Sequence, residues 1–434
     1  MKYFSTNRES NEISFKEAVI NCLPADKGLY FPKSIPALDA QTIVNLKGAS
    51  LPAIGFEMMK GFVQPDLSES QLKDIVEDAL SFEIPLVQVE ENLFSLELFH
   101  GPTYAFKDVG ARFLARCLGE FAKKEARETT ILVATSGDTG GAVANGFYGV
   151  EGVKVIILYP SGKVSDLQEK QLTTLGGNIT ALEVGGDFDD CQALVKQAFL
   201  DKELSEKLNL TSANSINIAR WMPQSIYYAS LALKMQNAEE ALIAVPSGNY
   251  GNVTAGMLAK RMSFPLGKFL VCSNANDVVP RYLESCEYEV LPTVATYANA
   301  MDVSNPSNFP RMLELYDHTF DDLIQDVSGF TLHDEEILET IKQCHKERGY
   351  VLDPHGAIGY AGLKAKLKID QQGVFLETAH PIKFAPVMEK ALDERLEIPQ
   401  FAEDLMLKKK KSTKMSNEYS EFKNLLKRTS QEWS

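Results

Sequence analysis

A lysine and two glycine-rich loops are the parts of this chain whose types and spacing could do chemistry. Lys107 stands between Phe106 and Asp108 in the segment FHGPTYAFKDVGARF, after a Gly-Pro turn and ahead of a helical pattern. Lysine is ordinarily a solvated surface charge. Flanked by an aromatic ring and a turn it can instead be desolvated, so that its pKa falls and the amine becomes a nucleophile toward carbonyls. The loops are Ser136-Gly137-Asp138-Thr139-Gly140 and Ser247-Gly248-Asn249-Tyr250-Gly251-Asn252, each lying between an apolar run and a helix-like stretch. At such a junction several backbone N–H groups point outward and the helix dipole adds partial positive charge, which makes an anion site. The hydroxyls of the first loop suit a carboxylate. Asp138 is odd in an anion cradle and is expected to cap the helix or to face a hydroxyl or an amine. The second loop suits a phosphate, because its small residues allow close approach and Asn249 and Asn252 can donate. Neither loop has the Lys-Ser/Thr ending of a nucleotide-hydrolysing loop. Together the three features suit pyridoxal phosphate (PLP). The lysine would form an imine with the cofactor aldehyde, the later loop would hold its phosphate, and the earlier loop would hold an amino-acid carboxylate.

The surrounding elements must bring these parts together. Residues 109–127 read as an amphipathic helix, with Val109, Phe113, Cys117 and Phe121 at four-residue spacing. TTILVAT, KVIILYP, NITALEV and ALIAVP are short apolar runs suited to buried strands, and helical patterns separate them, one with Ser165 as its N-cap. Strands alternating with helices predict right-handed βαβ units and a mostly parallel sheet. Ligands of such sheets sit beyond the carboxyl ends of the strands, where both loops fall. The expected organisation is an N-terminal accessory domain at 1–85, a large α/β domain at 86–128 and 213–400, a small α/β domain at 129–212, and a polar tail at 401–434. The four lysines at 408–411 read as part of a solvated terminus.

The bulk composition bounds the function. The 434 residues, 44% hydrophobic and 24% charged, fit a globular protein of two or three domains. A formal net charge of -15 argues against a nucleic-acid or anionic-membrane binder, and it requires any anionic substrate to be met by a local cationic site. The six cysteines form no CxxC pair and Cys344-His345 has no ligand spacing, so no metal site is expected. Scattered cysteines suit a reducing compartment. The opening MKYFSTNRESNEISF has no apolar core and the apolar runs are too short to span a bilayer, so a cytoplasmic protein without a secretory signal is expected.

With these residues in view, the chain resembles the threonine synthase family, fold-type II PLP enzymes (tryptophan synthase β-like), in its long form with an extra N-terminal domain. LELFHGPTYAFKDVGARF, ATSGDTGGAVANGFYG, ILYPSGKVSDLQEKQLTTLGGNI, SANSINIAR, VPSGNYGN, NAMDVSNPSNFPR and TAHPIKF carry the resemblance, in order and nearly end to end. It implies a carbon-oxygen lyase that converts O-phospho-L-homoserine and water to L-threonine and phosphate, and a monomer. It implies Lys107 as the Schiff-base lysine, Gly248, Asn249, Tyr250, Gly251 and Asn252 around the cofactor phosphate, and Thr378 as hydroxyl partner of the pyridine nitrogen. Ser136, Gly137, Asp138 and Thr139 would take the substrate carboxylate, although short-chain relatives place asparagine where this chain has Asp138. The leaving phosphate needs fixed positive charge, for which Arg112 and Arg220 are the candidates and Lys163 a third. His100 and His380 fall inside the motifs and could shape the pocket. A PLP phospho-lyase or amino-acid dehydratase on the same fold is the alternative, and a non-catalytic relative would have no chemical need of Lys107.

Overall fold

The computed structural model describes residues 1–125 and 128–431. Three sheets organise them. The N-terminal sheet is antiparallel, in the order Ile13–Ser14, Lys2–Ser5, Tyr30–Pro32. The Tyr3 hydroxyl ties it to helix Leu51–Val63 by donating to the Phe62 carbonyl, and helix Glu69–Ala79, started by a reciprocal Ser68–Gln71 cap, packs on Leu51–Val63. The large sheet runs Val327–Thr331, Lys268–Ser273, Leu242–Pro246, Gly373–Glu377, Leu93–Glu97, Leu86–Glu90. It is parallel except for the last pair, an antiparallel hairpin. The small sheet is parallel throughout, in the order Thr413–Ser416, Ile179–Gly185, Val153–Pro160, Thr129–Ala134, Leu210–Thr211.

The central strands are buried along their whole length, as Leu242–Pro246 and Thr129–Ala134 show. Helices cover both faces of such a strand, so it is apolar on both, and this is why the runs are continuous rather than alternating. The expected helix from residue 109 begins at Lys107 and is described to Glu125; its expected end at Arg127 lies outside the described residues. It packs against both the Glu69–Ala79 helix and the Asp138–Phe147 helix, so it joins the N-terminal helices to those of the small sheet.

The C-terminal segment departs from the expected polar tail. Residues after 400 form a helix, Gln400–Met406, the strand Thr413–Ser416 at the edge of the small sheet, and a helix, Tyr419–Gln431. Met415, Phe422 and Leu426 are buried among Leu182, Val184 and Leu194. Nor is the lysine run wholly solvated. Lys410 Nζ lies 2.5 Å from Glu169 and 2.7 Å from Glu183, and the Lys411 N–H donates to the Thr173 carbonyl. Two carboxylates on the small domain fix a run whose composition alone reads as solvated.

Candidate active site

Lys107 is the first residue of its helix, and the chain before it is built to hold it still. The Phe106 N–H donates to the Thr378 carbonyl at 2.8 Å, the His380 N–H to the Tyr104 carbonyl at 3.0 Å, and Ala105 bridges Ala379. The Tyr227 hydroxyl donates to the Phe106 carbonyl. Asp108 is buried, and its carboxylate accepts from the Thr103 N–H at 2.8 Å and the Thr103 hydroxyl at 2.5 Å. That bracket closes the turn ahead of Lys107. Gly110 permits the next contact: a Cβ there would stand 2.5 Å from the Arg220 carbonyl.

The Lys107 side chain is 17% exposed, with Nζ 5.5 Å from the centre of the Phe106 ring and 3.9 Å from Asp138 Oδ2. Burial pushes its pKa below the ordinary lysine value, and the charges of Lys383 and Arg220 add to that, while Asp138 opposes it. The amine is thus driven toward the neutral, nucleophilic form that the flanking residues predict.

Asp138 faces amines. Its Oδ1 accepts from Lys383 Nζ at 2.8 Å and from Gln168 Nε2 at 2.9 Å, and Oδ2 is turned to Lys107. Lys383 and Lys107 hold its carboxyl far below the usual range against the opposing effect of burial. Two N–H groups of the first loop are spent internally, since Gly137 and Gly140 both donate to the Thr135 hydroxyl, at 3.0 and 2.9 Å. Of the first-turn N–H groups of the Asp138–Phe147 helix, Gly141 donates to the Gly137 carbonyl, and those of Asp138 and Thr139 have no helical acceptor and remain the donors for an anion.

In the second loop Tyr250 takes a left-handed conformation (φ 60°) and the helix Gly251–Arg261 begins behind it. Gly248 is required by crowding: a Cβ there would lie 2.6 Å from Met301 Cα. Asn249 is exposed; its side-chain oxygen accepts from the Ser307 N–H and hydroxyl, and its carbonyl from the Asn308 N–H. Tyr250 Oη lies 2.8 Å from the Ser273 hydroxyl. Asn252 accepts from the Tyr228 hydroxyl at 2.8 Å, and its buried amide nitrogen has no partner among the described residues. A buried orphan donor at the start of an 11-residue helix fits a phosphate. Thr378 is buried just past the strand Gly373–Glu377 and lies beside the Lys107 loop through its carbonyl.

Of the candidate phosphate cations, Arg220 is the one whose charge acts on Lys107 and whose backbone packs on Gly110. It is 3% exposed, and its Nε and Nη1 are buried without partners among the described residues. Burial pushes its pKa down to about 10. Asn217 caps the short helix that carries it. Fully buried Arg311 braces the preceding turn by donating to the Ser215 and Ile216 carbonyls. Arg112 is elsewhere. Its guanidinium donates to the Asp78 carbonyl at 2.8 Å and pairs with the Asp78 carboxylate at 3.1 Å, joining the Lys107 helix to the N-terminal domain. Five residues along a helix turn a side chain about 140° from the first, which is why proximity in sequence misleads here. Lys163 is exposed on a turn of the small domain and acts on Asp190. His100 pairs with Glu97 at 2.7 Å, and His380 accepts from the Ile382 N–H, capping the turn that bears Lys383.

Reasoning from sequence missed Lys383, Thr103, Thr135, Gln168 and Gln171. Lys383 lies inside TAHPIKF, yet a lysine carries no sign of being fully buried. Gln168 is the third residue after the Ser165 cap and closes a reciprocal cap with it, and Gln171 donates to the Thr103 carbonyl at 3.0 Å.

Comparison with known proteins places the geometry in context. Residues 83–377 match the family described as pyridoxal-phosphate dependent enzyme, residues 2–80 the threonine synthase N terminus, and residues 356–426 the threonine synthase C-terminal family. Threonine synthase of Haemophilus influenzae is 44% identical over 98% of this chain and 99% of its own length. The crystal structure of threonine synthase from Escherichia coli superposes with a TM-score of 0.92 at 40% identity, covering 99% of this chain and all of that one. A PLP-bound threonine synthase from Brucella melitensis gives 0.93 at 35% identity, covering 99% of both chains.

Proposed function

The chain belongs to the threonine synthase family of PLP-dependent lyases, and on that premise we propose that its substrate is O-phospho-L-homoserine, which it converts with water to L-threonine and phosphate. The observation that carries the reading is a depressed lysine amine, Lys107, set between an orphaned buried guanidinium and a loop offering N–H donors. Such a pocket suits an amino acid with an anion at each end. Residues 248–252 would hold the cofactor phosphate, with the orphan Asn252 amide as one donor, and Thr378 would face the pyridine nitrogen. When bound, PLP supplies an electron sink for negative charge developing on the substrate carbons. The chain does the rest. Residues 136–139 orient the substrate carboxylate through the open first turn of their helix. Lys107 Nζ takes the proton from the α carbon and moves protons at the β and γ carbons. Arg220 meets the departing phosphate with a charge already desolvated and in place, so nothing need reorganise when the C–O bond breaks.

No helix among the described residues is long and apolar enough to cross a membrane. The same reading extends to a monomer acting in the cytoplasm. The test is direct: incubate the purified protein with PLP and O-phosphohomoserine, follow the visible spectrum, and analyse the amino and oxo acids formed. Threonine and phosphate in equal amounts, lost in Lys107→Ala, are expected. A 2-oxo acid as the main product would replace the synthase reading with that of a phospho-lyase on the same site.

A further inference from the structure

Lys383 has no part in the scheme above, yet it is the most deeply buried charge near Lys107. It sits in the short turn Pro381–Phe384, and its side chain is 0% exposed. Its ammonium meets Asp138 Oδ1 and the Thr103 carbonyl, each at 2.8 Å. Those acceptors belong to different parts of the molecule. Asp138 opens the small-domain helix, and Thr103 brackets Asp108 in the turn before Lys107.

A buried cation is costly unless it is paired, and so is a buried anion. Asp138 poses a second difficulty, because a carboxylate in a loop meant for a carboxylate repels its ligand. The second oxygen of Asp138 also lies 3.9 Å from Lys107, where it favours the charged amine that the chemistry must avoid. Lys383 bears on both difficulties. One ammonium on Oδ1 cancels the charge that a bound anion would feel and weakens the pull of Asp138 on Lys107. Gln168 adds a neutral donor to the same oxygen, so the carboxylate cannot rotate away.

We propose that Lys383 is a positioning residue that fixes and neutralises Asp138, so that the 136–139 loop stays open to an anionic ligand and Lys107 keeps a reactive amine. The proposal rests on Lys107 and this loop being the active site as read above. The charged groups that act on Lys107 are Asp138 from the small-domain helix, Lys383 from its turn, and Arg220 from the segment packed on Gly110.

The test uses the full-length protein freed of cofactor, and neither substrate nor product enters it. Acylation of Lys107 by an amine-directed reagent is followed against pH by peptide mass spectrometry, and protection by added PLP identifies the site. In Lys383→Met the unbalanced Asp138 carboxylate should hold the proton on Lys107, moving the profile to higher pH and slowing acylation at pH 7 roughly tenfold. Asp138→Asn should move the profile the other way, because Lys383 is then unopposed. Lys383→Met/Asp138→Asn should lie close to Asp138→Asn, because the carboxylate through which Lys383 acts is gone. If Lys383→Met does not fold, Asp138→Asn still decides, since a profile on top of the wild type would show that this carboxylate does not act on Lys107. A Lys383→Met shift as large in the Asp138→Asn background as in the wild type would overturn the proposal, as would a Lys383→Met profile on top of the wild type. Failure of PLP to protect Lys107 in the wild type would count against the active-site reading instead, and the order of the variants would still report on Lys383.

Discussion

Replacing Gly248 by alanine tests the cofactor loop at the point where the structure leaves least room. A Cβ there would lie 2.6 Å from Met301 Cα, 3.2 Å from Met301 Cβ and 3.3 Å from the Ala300 carbonyl oxygen. Ordinary contact begins near 3.4 Å, so either the loop or the turn Asn299–Met301 must retreat by most of an ångström. The turn is the better anchored of the two. The Ala300 N–H donates to His355 Nε2, His355 Nδ1 lies 2.6 Å from buried Asp353, and the Ala298 carbonyl accepts from Asn274. The loop is therefore the part that moves, taking with it the donors expected to hold the phosphate. Overpacking of this kind costs about 1–3 kcal/mol. If it falls on the bound state, PLP should bind about 5- to 150-fold more weakly. Titration of the cofactor-free variant with PLP, read by absorbance, gives the affinity, and a parallel titration with pyridoxal isolates the phosphate contribution. The affinity for pyridoxal should change far less. A folded Gly248→Ala protein with wild-type PLP affinity would refute the assignment of this loop to the phosphate.

Three further outcomes follow from single side chains. Arg220→Met should lower turnover by about 10²–10³ while leaving thermal stability unchanged or raised, because it removes a buried charge whose Nε and Nη1 have no partner among the described residues; a large loss of stability with turnover retained would make Arg220 structural. Arg112→Ala should do the reverse, lowering stability by about 1–3 kcal/mol through its lost bonds to Asp78, with turnover per folded molecule preserved; thermal melts beside initial rates separate the two effects. Burial first, then His100 and Lys383, depress His380 to about 4 from 6.5, so its contribution is fully present above 6.5 and is lost as pH falls toward 4. That window holds up to about 3 kcal/mol. Thermal midpoints should therefore fall more steeply with acid in the wild type than in His380→Gln, and parallel curves would refute the assignment.

Sequence pattern reaches the parts of the fold that local chemistry dictates. TTILVAT, KVIILYP and ALIAVP are legible because a strand covered on both faces must be apolar throughout, and Ser165 is legible because a helix start needs an acceptor. The edge strand Thr413–Ser416 is not, because only Met415 of its four residues is buried and a run of lysines precedes it. The site divides in the same way. Lys107 and the two glycine loops carry their signal in their own neighbours. Lys383 carries none, since the acceptors that hold its ammonium, on Thr103 and Asp138, lie far away along the chain and meet it only in the fold.

Two lysines stand near one carboxylate, and the geometry decides which of them can react. Lys383 has two oxygens at 2.8 Å, whereas Lys107 has one carboxylate oxygen, at 3.9 Å. An ammonium taken out of water is stabilised by the acceptors that replace that water, so the lysine with the closer and more numerous oxygens is the better-supported cation. The other, pressed by that cation and by Arg220, is the one driven toward the free amine. Asp108 cannot reverse this, because its oxygens are engaged by Thr103. A chain with a net charge of -15 thus keeps a cationic pocket without making every cation in it inert. Exchanging the roles would require moving Asp138 by about an ångström toward Lys107, the movement that Lys383 and Gln168 oppose.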